Sequence, residues 1–300
     1  SAILYGAFEA TKEGVTPVVD LTGLNNVMRW GNAVDSFYRR GNARDILSLT
    51  ESAVRNVLQS KTAPDAANIQ KKLAKNLVLI ENMLATSNGS DIYAAKPMVT
   101  ALQQIEALEN TDGYVTAFKP LYGLIVNRLQ LFKPDSYANL LVAVNLCISY
   151  NMMQQGLTLL QEGLISILLD LYINEDPTKR ENREGMSRVL QYIANPDEKY
   201  PNPLNDPKTS NVAVFAMDKD LARLLAVEFD KLREYRNNIN HGGFGPNRFG
   251  ADRYQQGLTK VFHSVLNIFA ENAPKATGHQ LAVVSEAMLA ERGWESVVTK

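Results

Sequence analysis

The chain has 300 residues, 45% of them hydrophobic and 21% charged, and 31 basic against 32 acidic side chains leave a net charge of −1. These are the proportions of a globular chain with a real core. They exclude a strongly basic nucleic-acid coat and a polyacidic tail, but not a local basic patch. One cysteine, Cys147, and three scattered histidines, His241, His263 and His279, exclude a disulfide framework and a Cys-rich zinc site.

Residues 1–6 lack a basic region followed by an apolar stretch, so no secretory signal is expected there. Residues 4–9 and 16–21 are short, apolar and partly β-branched or aromatic, with Glu13-Gly14 between them. They predict a β-hairpin, the only good one in the sequence. From residue 22 the period turns helical. Leu24, Val27, Met28, Val34 and Phe37 recur at helical spacing and stop at Gly41. A second helix starts at Asn42 or Asp45, and a third at Asp65, running to Asn88-Gly89. Apolar helices follow at about 91–110, 114–132 and 135–173, the last closed by Asn174-Glu175-Asp176-Pro177.

The most apolar stretch, residues 156–173, is interrupted by Gln161, Glu162 and Asp170, so it reads as a buried helix and not a membrane span. A shorter helix covers 178–194. Residues 195–211 contain Pro196, Pro201, Pro203 and Pro207 and predict an irregular, mobile loop. A helix over 218–240 carries Leu221, Leu224, Leu225, Phe229 and Leu232 and ends at His241-Gly242-Gly243. Helices at 251–272 and 280–292 close the chain. No fixed-period repeat is present.

The sharpest chemical candidate is Arg236-Asn237-Asn238-Ile239-Asn240-His241. Five helical residues turn the chain by about 500°, which sets Arg236 and His241 about 140° apart, whereas Asn237 and His241 share a face. A site that uses both needs a relaxed helix end, which the glycines permit, or two copies from two chains. Arginine offers a permanent planar charge suited to phosphate, and an imidazole can exchange a proton near neutral pH. With an RNA 2′-hydroxyl as nucleophile, the pair can cleave a phosphodiester without a metal or other cofactor. The plain alternative is an ordinary helix terminus, since histidine before glycine is a common ending.

Asn151, Gln155, Thr158 and Glu162 are spaced four, three and four apart and share one face of the most apolar helix. That stripe is either solvent-facing or the wall of a cleft or subunit seam. In the second case Gln155 and Glu162 matter most, because a carboxylate in such a helix needs a partner. Arg39-Arg40, Lys71-Lys72 and Lys179-Arg180 with Arg183 read as solvated faces. Arg248 and Arg253, interleaved with Phe244, Phe249 and Tyr254, can hold single-stranded RNA; equally, the aromatics can pack the loop onto the core.

Residues 5–9 (Tyr-Gly-Ala-Phe-Glu), 16–22 (Thr-Pro-Val-Val-Asp-Leu-Thr) and 29–37 (Arg-Trp-Gly-Asn-Ala-Val-Asp-Ser-Phe) resemble the junction region of CRISPR-associated CARF–HEPN proteins of type III systems. Residues 154–164, Gln-Gln-Gly-Leu-Thr-Leu-Leu-Gln-Glu-Gly-Leu, resemble a helix of the HEPN part. Arg236 and His241 fit that family's arginine–histidine active-site pattern, with a polar residue, Asn237, after the arginine.

The resemblance implies a mainly α chain: a residual CARF hairpin over 1–21, a helical connector over 22–134 and a HEPN-like domain over 135–275; the helical tail over 276–300 lies outside the resemblance. It implies a cytoplasmic homodimeric endoribonuclease that needs no metal and cuts single-stranded RNA in antiviral defence. Arg236, His241 and Asn237 would be catalytic, and Arg248 and Arg253 would bind RNA. Cyclic oligoadenylate would act only through a CARF domain largely absent from this chain. The alternative, from another class, is a catalytically silent helical dimerisation or binding module.

Overall fold

The computed structural model describes residues 3–60, 64–110, 119, 122–196, 202–242, 244, 248–272 and 279–290. The chain divides into two compact units, Ser1–Glu81 with Pro97–Gln130, and Asn82–Lys96 with Leu131–Lys300. The protein is mainly α-helical with one short antiparallel hairpin.

In the first unit, β1 (Leu4–Gly6) pairs with β2 (Val18–Asp20), Leu4 opposite Asp20 and Tyr5 opposite Val19. Lys12 and Val15 close the hairpin, with Glu13 and Gly14 both left-handed at φ 51° and 75°. This is the geometry that matches the strand twist. α1 (Thr22–Arg40) follows, its first backbone amide donating to Asp20 Oδ1. It buries Trp30, Ala33, Val34 and Phe37, and ends where Gly41, left-handed at φ 71°, donates its N–H to the Phe37 carbonyl. α2 (Arg44–Ser60), most of α3 (Pro64–Ala85), α5 (Lys96–Glu109) and α6 (Tyr122–Leu129) complete this unit. Arg128 ties α6 to α1: its Nη2 donates to the Tyr38 carbonyl at 2.9 Å, and its guanidinium lies over the Tyr38 ring.

The second unit holds α4 (Gly89–Ala94), α7 (Ala138–Ser149), α8 (Met153–Ile167), α9 (Arg180–Ala194), α10 (Ser210–Ala213), α11 (Lys219–Asn240), α12 (Ala251–Asn272) and α13 (His279–Ala290). A π turn, Leu168–Tyr172, extends α8. α7 is the central helix: Ala138 through Ile148 are all buried, as befits a helix apolar on every side. α8 packs along it, and α11 packs on α8, α9 and α12. Gly156 permits the close approach of α8, since a Cβ there would meet Leu258 Cδ2 at 2.6 Å and Cys147 Cβ at 3.3 Å.

Cys147 lies within this packing, and burial pushes its thiol up to about 12. The thiolate is the reactive form. Native protein at pH 8 is therefore expected to resist iodoacetamide, with full labelling only in denaturant; rapid native labelling would contradict this packing.

The expected single helix over 135–173 is instead two helices and a π turn. Asn151 takes a left-handed conformation at φ 59°, and the Met152 N–H closes back onto the Cys147 carbonyl at 2.8 Å. Asparagine tolerates that conformation better than other non-glycine residues. The helix expected over 91–110 is likewise split, into α4 and α5, at Ala95 with φ 52°. The first half of the helix expected over 114–132 lies outside the described residues, as do 197–201 of the proline-rich segment. Its described remainder is irregular: two 3-10 turns, Pro203–Asn205 and Pro207–Thr209, capped by the Asn202 and Asp206 side chains and leading into α10. Buried Thr209 donates its hydroxyl to the Pro203 carbonyl.

Asn82–Lys96 groups with the second unit. α13, within the expected tail, buries Leu281, Val284 and Met288 and packs on α12 and α7. Among the described residues, no helix is long and apolar enough to cross a membrane.

Candidate functional site

Asp218 caps α11 by accepting the Leu221 N–H, and the helix then stays regular through Asn240. Leu221, Leu225, Phe229 and Leu232 form its buried face. Arg236 comes one turn after Leu232 and continues that face. At the other end, the His241 N–H donates to the Asn237 carbonyl at 3.0 Å, and Gly242, left-handed at φ 62°, stops the helix.

Arg236 is half-buried, not placed at an exposed helix end as its sequence position suggests. Its Nη1 donates to Glu162 Oε1 at 3.1 Å. Glu162, on α8, also accepts from Arg183 Nη2 through Oε2 at 2.7 Å. Arg183 lies in the first turn of α9 and is anchored on every side. Its Nη1 donates to Ser166 Oγ and to the Pro177 carbonyl, both at 2.9 Å, and its Nη2 also reaches the Glu162 carbonyl at 3.2 Å. Two guanidinium groups thus share one carboxylate, so the cluster keeps one uncompensated positive charge. Arg236 Nε is buried and has no hydrogen-bond acceptor among the described residues. The Arg236 side chain nevertheless keeps 29% exposure, and a planar cation partly open to solvent suits a phosphate oxygen.

His241 and Asn237 are exposed at the end of α11. Neither side chain has a hydrogen bond or ion pair to a described residue, so no bond joins the imidazole to Arg236 within the chain. Asn240 Oδ1 accepts from Gln154 Nε2 at 3.1 Å, which ties the end of α11 to the start of α8. Asn238 Oδ1 accepts both the Phe249 N–H and the Tyr254 hydroxyl.

The basic–aromatic segment separates into two parts. Phe249 sits between Tyr235 and Tyr254, with ring centroids 5.1 and 6.0 Å away, and Arg253 stacks on it at 3.9 Å. These aromatics pack the segment onto α11 and α12. Arg248 is exposed, and Phe244 is 96% exposed.

The polar stripe also divides. Asn151 lies in the turn before α8, and Gln155 Nε2 reaches only the Ala85 carbonyl, at 3.5 Å. Thr158 and Glu162 face a cavity of ≈600 Å3 bounded by α4, α7, α8 and the start of α9. Arg183, grouped by sequence with solvated basic residues, is instead half-buried and bonded to Glu162 within the cluster. The signal for it was the carboxylate of Glu162 in an apolar helix, which demanded a cation without naming one. Among the described residues, no three His, Cys, Asp or Glu side chains stand close enough to hold a metal ion.

The chain matches no model of a known protein family, and a comparison with curated proteins returns no match.

Proposed function

We propose that this protein is a metal-independent endoribonuclease that cuts single-stranded RNA by 2′-hydroxyl attack, leaving a 2′,3′-cyclic phosphate and a 5′-hydroxyl. The observation that carries the reading is Arg236, a guanidinium held by Glu162 through one nitrogen while its side chain keeps 29% exposure. In this reading Arg236 neutralises charge on the phosphoryl oxygens. His241 exchanges a proton with the 2′-hydroxyl or the leaving oxygen, and Asn237, on the same face, positions the imidazole or the phosphate. Arg248 and the exposed Phe244 ring supply backbone and base contacts at the RNA entrance, and Arg253 adds charge there. Glu162 and Arg183 position Arg236.

The sequence resemblance extends the proposal to a cytoplasmic effector of type III CRISPR antiviral defence, switched on by cyclic oligoadenylate bound to a CARF domain. Leu4 and Val18 of the hairpin are about two-thirds exposed at 64% and 65%, which supports a further domain packing there.

With Arg236 turned inward and His241 outward on one regular helix, a second copy supplies the complementary group, so the active form is a homodimer. Met217, Leu224 and Val227, on or beside α11, are exposed apolar side chains suited to that seam. Light scattering at micromolar concentration is expected to give twice the 33.3 kDa chain mass; a monomer there contradicts the two-copy site.

The second reading, a silent dimerisation or binding module, is favoured by one observation: the Arg183–Glu162–Arg236 cluster also serves as a tie between α8, α9 and α11. A gel assay of labelled single-stranded RNA with EDTA present separates the two. Cleavage supports the ribonuclease, and an intact substrate with a dimeric protein supports the silent module.

A further inference from the structure

The cavity beside Glu162 has the size of a small-molecule site, inside the usual range of ~300–1,000 Å3. Tyr93 of α4 and Tyr137 at the start of α7 line it with two rings 4.3 Å apart, tilted by 39°. Ser90 and Thr158 also line it. Its two ionic groups, Glu162 and Arg183, are bonded to each other, and every Nη donor of Arg183 is already engaged. The wall therefore offers no free cation to an anionic ligand. Burial, and then the neighbouring carboxylates Asp135 and Asp170, push the Tyr93 phenol up, so it stays a neutral donor.

A ligand that fits is planar, uncharged and rimmed with donors and acceptors. A nucleobase has those properties, with a π face for a tyrosine ring and an edge for hydroxyls and a carboxylate. The position adds a second argument. The carboxylate that borders the cavity is the one that holds Arg236, so a base in the cavity and a phosphate at Arg236 are neighbours across a single side chain.

We propose that this cavity, between Tyr93, Tyr137, Thr158 and Glu162, binds one nucleobase, unstacked from its strand. Resting on the ribonuclease reading, that base belongs to the nucleotide beside the cut. The cavity then selects which base is presented, while Arg236 handles the phosphate.

The test uses the full chain and two kinds of probe. In calorimetric titrations with adenosine, guanosine, cytidine, uridine and ribose 5-phosphate, at least one nucleoside binds and ribose 5-phosphate does not. Ser90→Trp, which fills the cavity from an exposed position on α4, and Tyr93→Ala, which removes a stacking face, each weaken binding by about tenfold or more. Tyr93→Phe retains it, which separates a lost ring from a damaged fold. On RNA, an abasic nucleotide beside the cut slows the wild-type protein and makes little difference to Ser90→Trp. Nucleoside binding with uncut RNA removes the ribonuclease reading and leaves the base site standing. Cut RNA with the same base profile in wild type and Ser90→Trp removes the base site and leaves the ribonuclease. Equal binding of ribose 5-phosphate, or nucleoside binding unchanged in both variants, also overturns the base site.

Discussion

His241→Ala is expected to lower RNA cleavage by roughly a hundredfold or more, the scale of losing a positioned proton-transfer group. Arg236→Ala is expected to cost a similar factor, because the phosphoryl oxygens lose their fixed counter-charge. Arg236→Lys is also poor, since an ammonium does not copy the planar two-donor contact. The two substitutions differ in what they leave behind. His241 is exposed and unbonded to the described chain, so its removal disturbs no packing. Arg236 is paired, yet Glu162 keeps Arg183 at 2.7 Å when Arg236 is truncated, so the carboxylate is not stranded. Circular dichroism should therefore match wild type in both variants. On the proposed mechanism a 2′-deoxy nucleotide at the cut is expected to block cleavage, because the nucleophile is gone, and EDTA is expected to leave cleavage intact. Near-normal activity of His241→Ala, or cleavage of the deoxy substrate, would sink the mechanism; complete loss with EDTA points to a metal nuclease.

Asn139→Ala is expected to produce the largest loss of stability among conservative changes near the site. Asn139 is fully buried in α7 and its side chain makes three hydrogen bonds. Its Nδ2 donates to the Tyr93 carbonyl at 2.9 Å and the Lys133 carbonyl at 2.6 Å, and its Oδ1 accepts the Lys133 N–H at 3.0 Å. The side chain thus staples the end of α4 and the segment before α7 onto the central helix. Truncation removes a partner from three backbone groups; the Tyr93 carbonyl keeps the Ser136 N–H at 3.1 Å, and the two Lys133 groups cost roughly 1–3 kcal/mol each where water fails to reach them, so a total of about 3 kcal/mol is expected. Asn139→Asp is worse, because a carboxylate oxygen then faces two carbonyls. Urea unfolding checks this: the midpoint falls with an unchanged slope. A loss below about 1 kcal/mol would show that these three groups find other partners.

Local chemistry made much of this fold readable. Glu13-Gly14 marked the hairpin turn, Gly41 the end of α1, and Asp218 and His241-Gly242 the two ends of α11. The two helix breaks that sequence reading missed occur at Ala95, which is buried, and Asn151, which is exposed, both non-glycine residues in the left-handed conformation. Pro97, in the first turn of α5, was the signal for the first break, whereas no proline or glycine stands within the turn at Asn151. The site was half legible for a related reason. Arg236 and His241 are close in sequence, so their roughly 140° separation follows from helix geometry. The partners of Glu162 lie 21 and 74 residues away, and only the packing of α8 against α9 and α11 selects them. Asn139 was hidden in an apolar run, where its polar side chain carried no period to read.

The π turn at Leu168–Tyr172 sets off the distal end of the α8 segment from the rest. It holds one residue more than a regular helix needs, and each residue is worth about 100° of rotation. The extra residue aims Tyr172 so that its ring meets Phe215 and Phe269 and its hydroxyl reaches the Asn272 carbonyl at 3.2 Å. Glu162 and Ser166 lie upstream of the turn and are not rotated by it. A lineage that gained or lost a single codon here would swing the aromatic anchor through more than a quarter circle while leaving the arginine-binding carboxylate in place. The turn is thus a seam at which the distal packing of α8 can drift between relatives independently of the cluster that Glu162 holds.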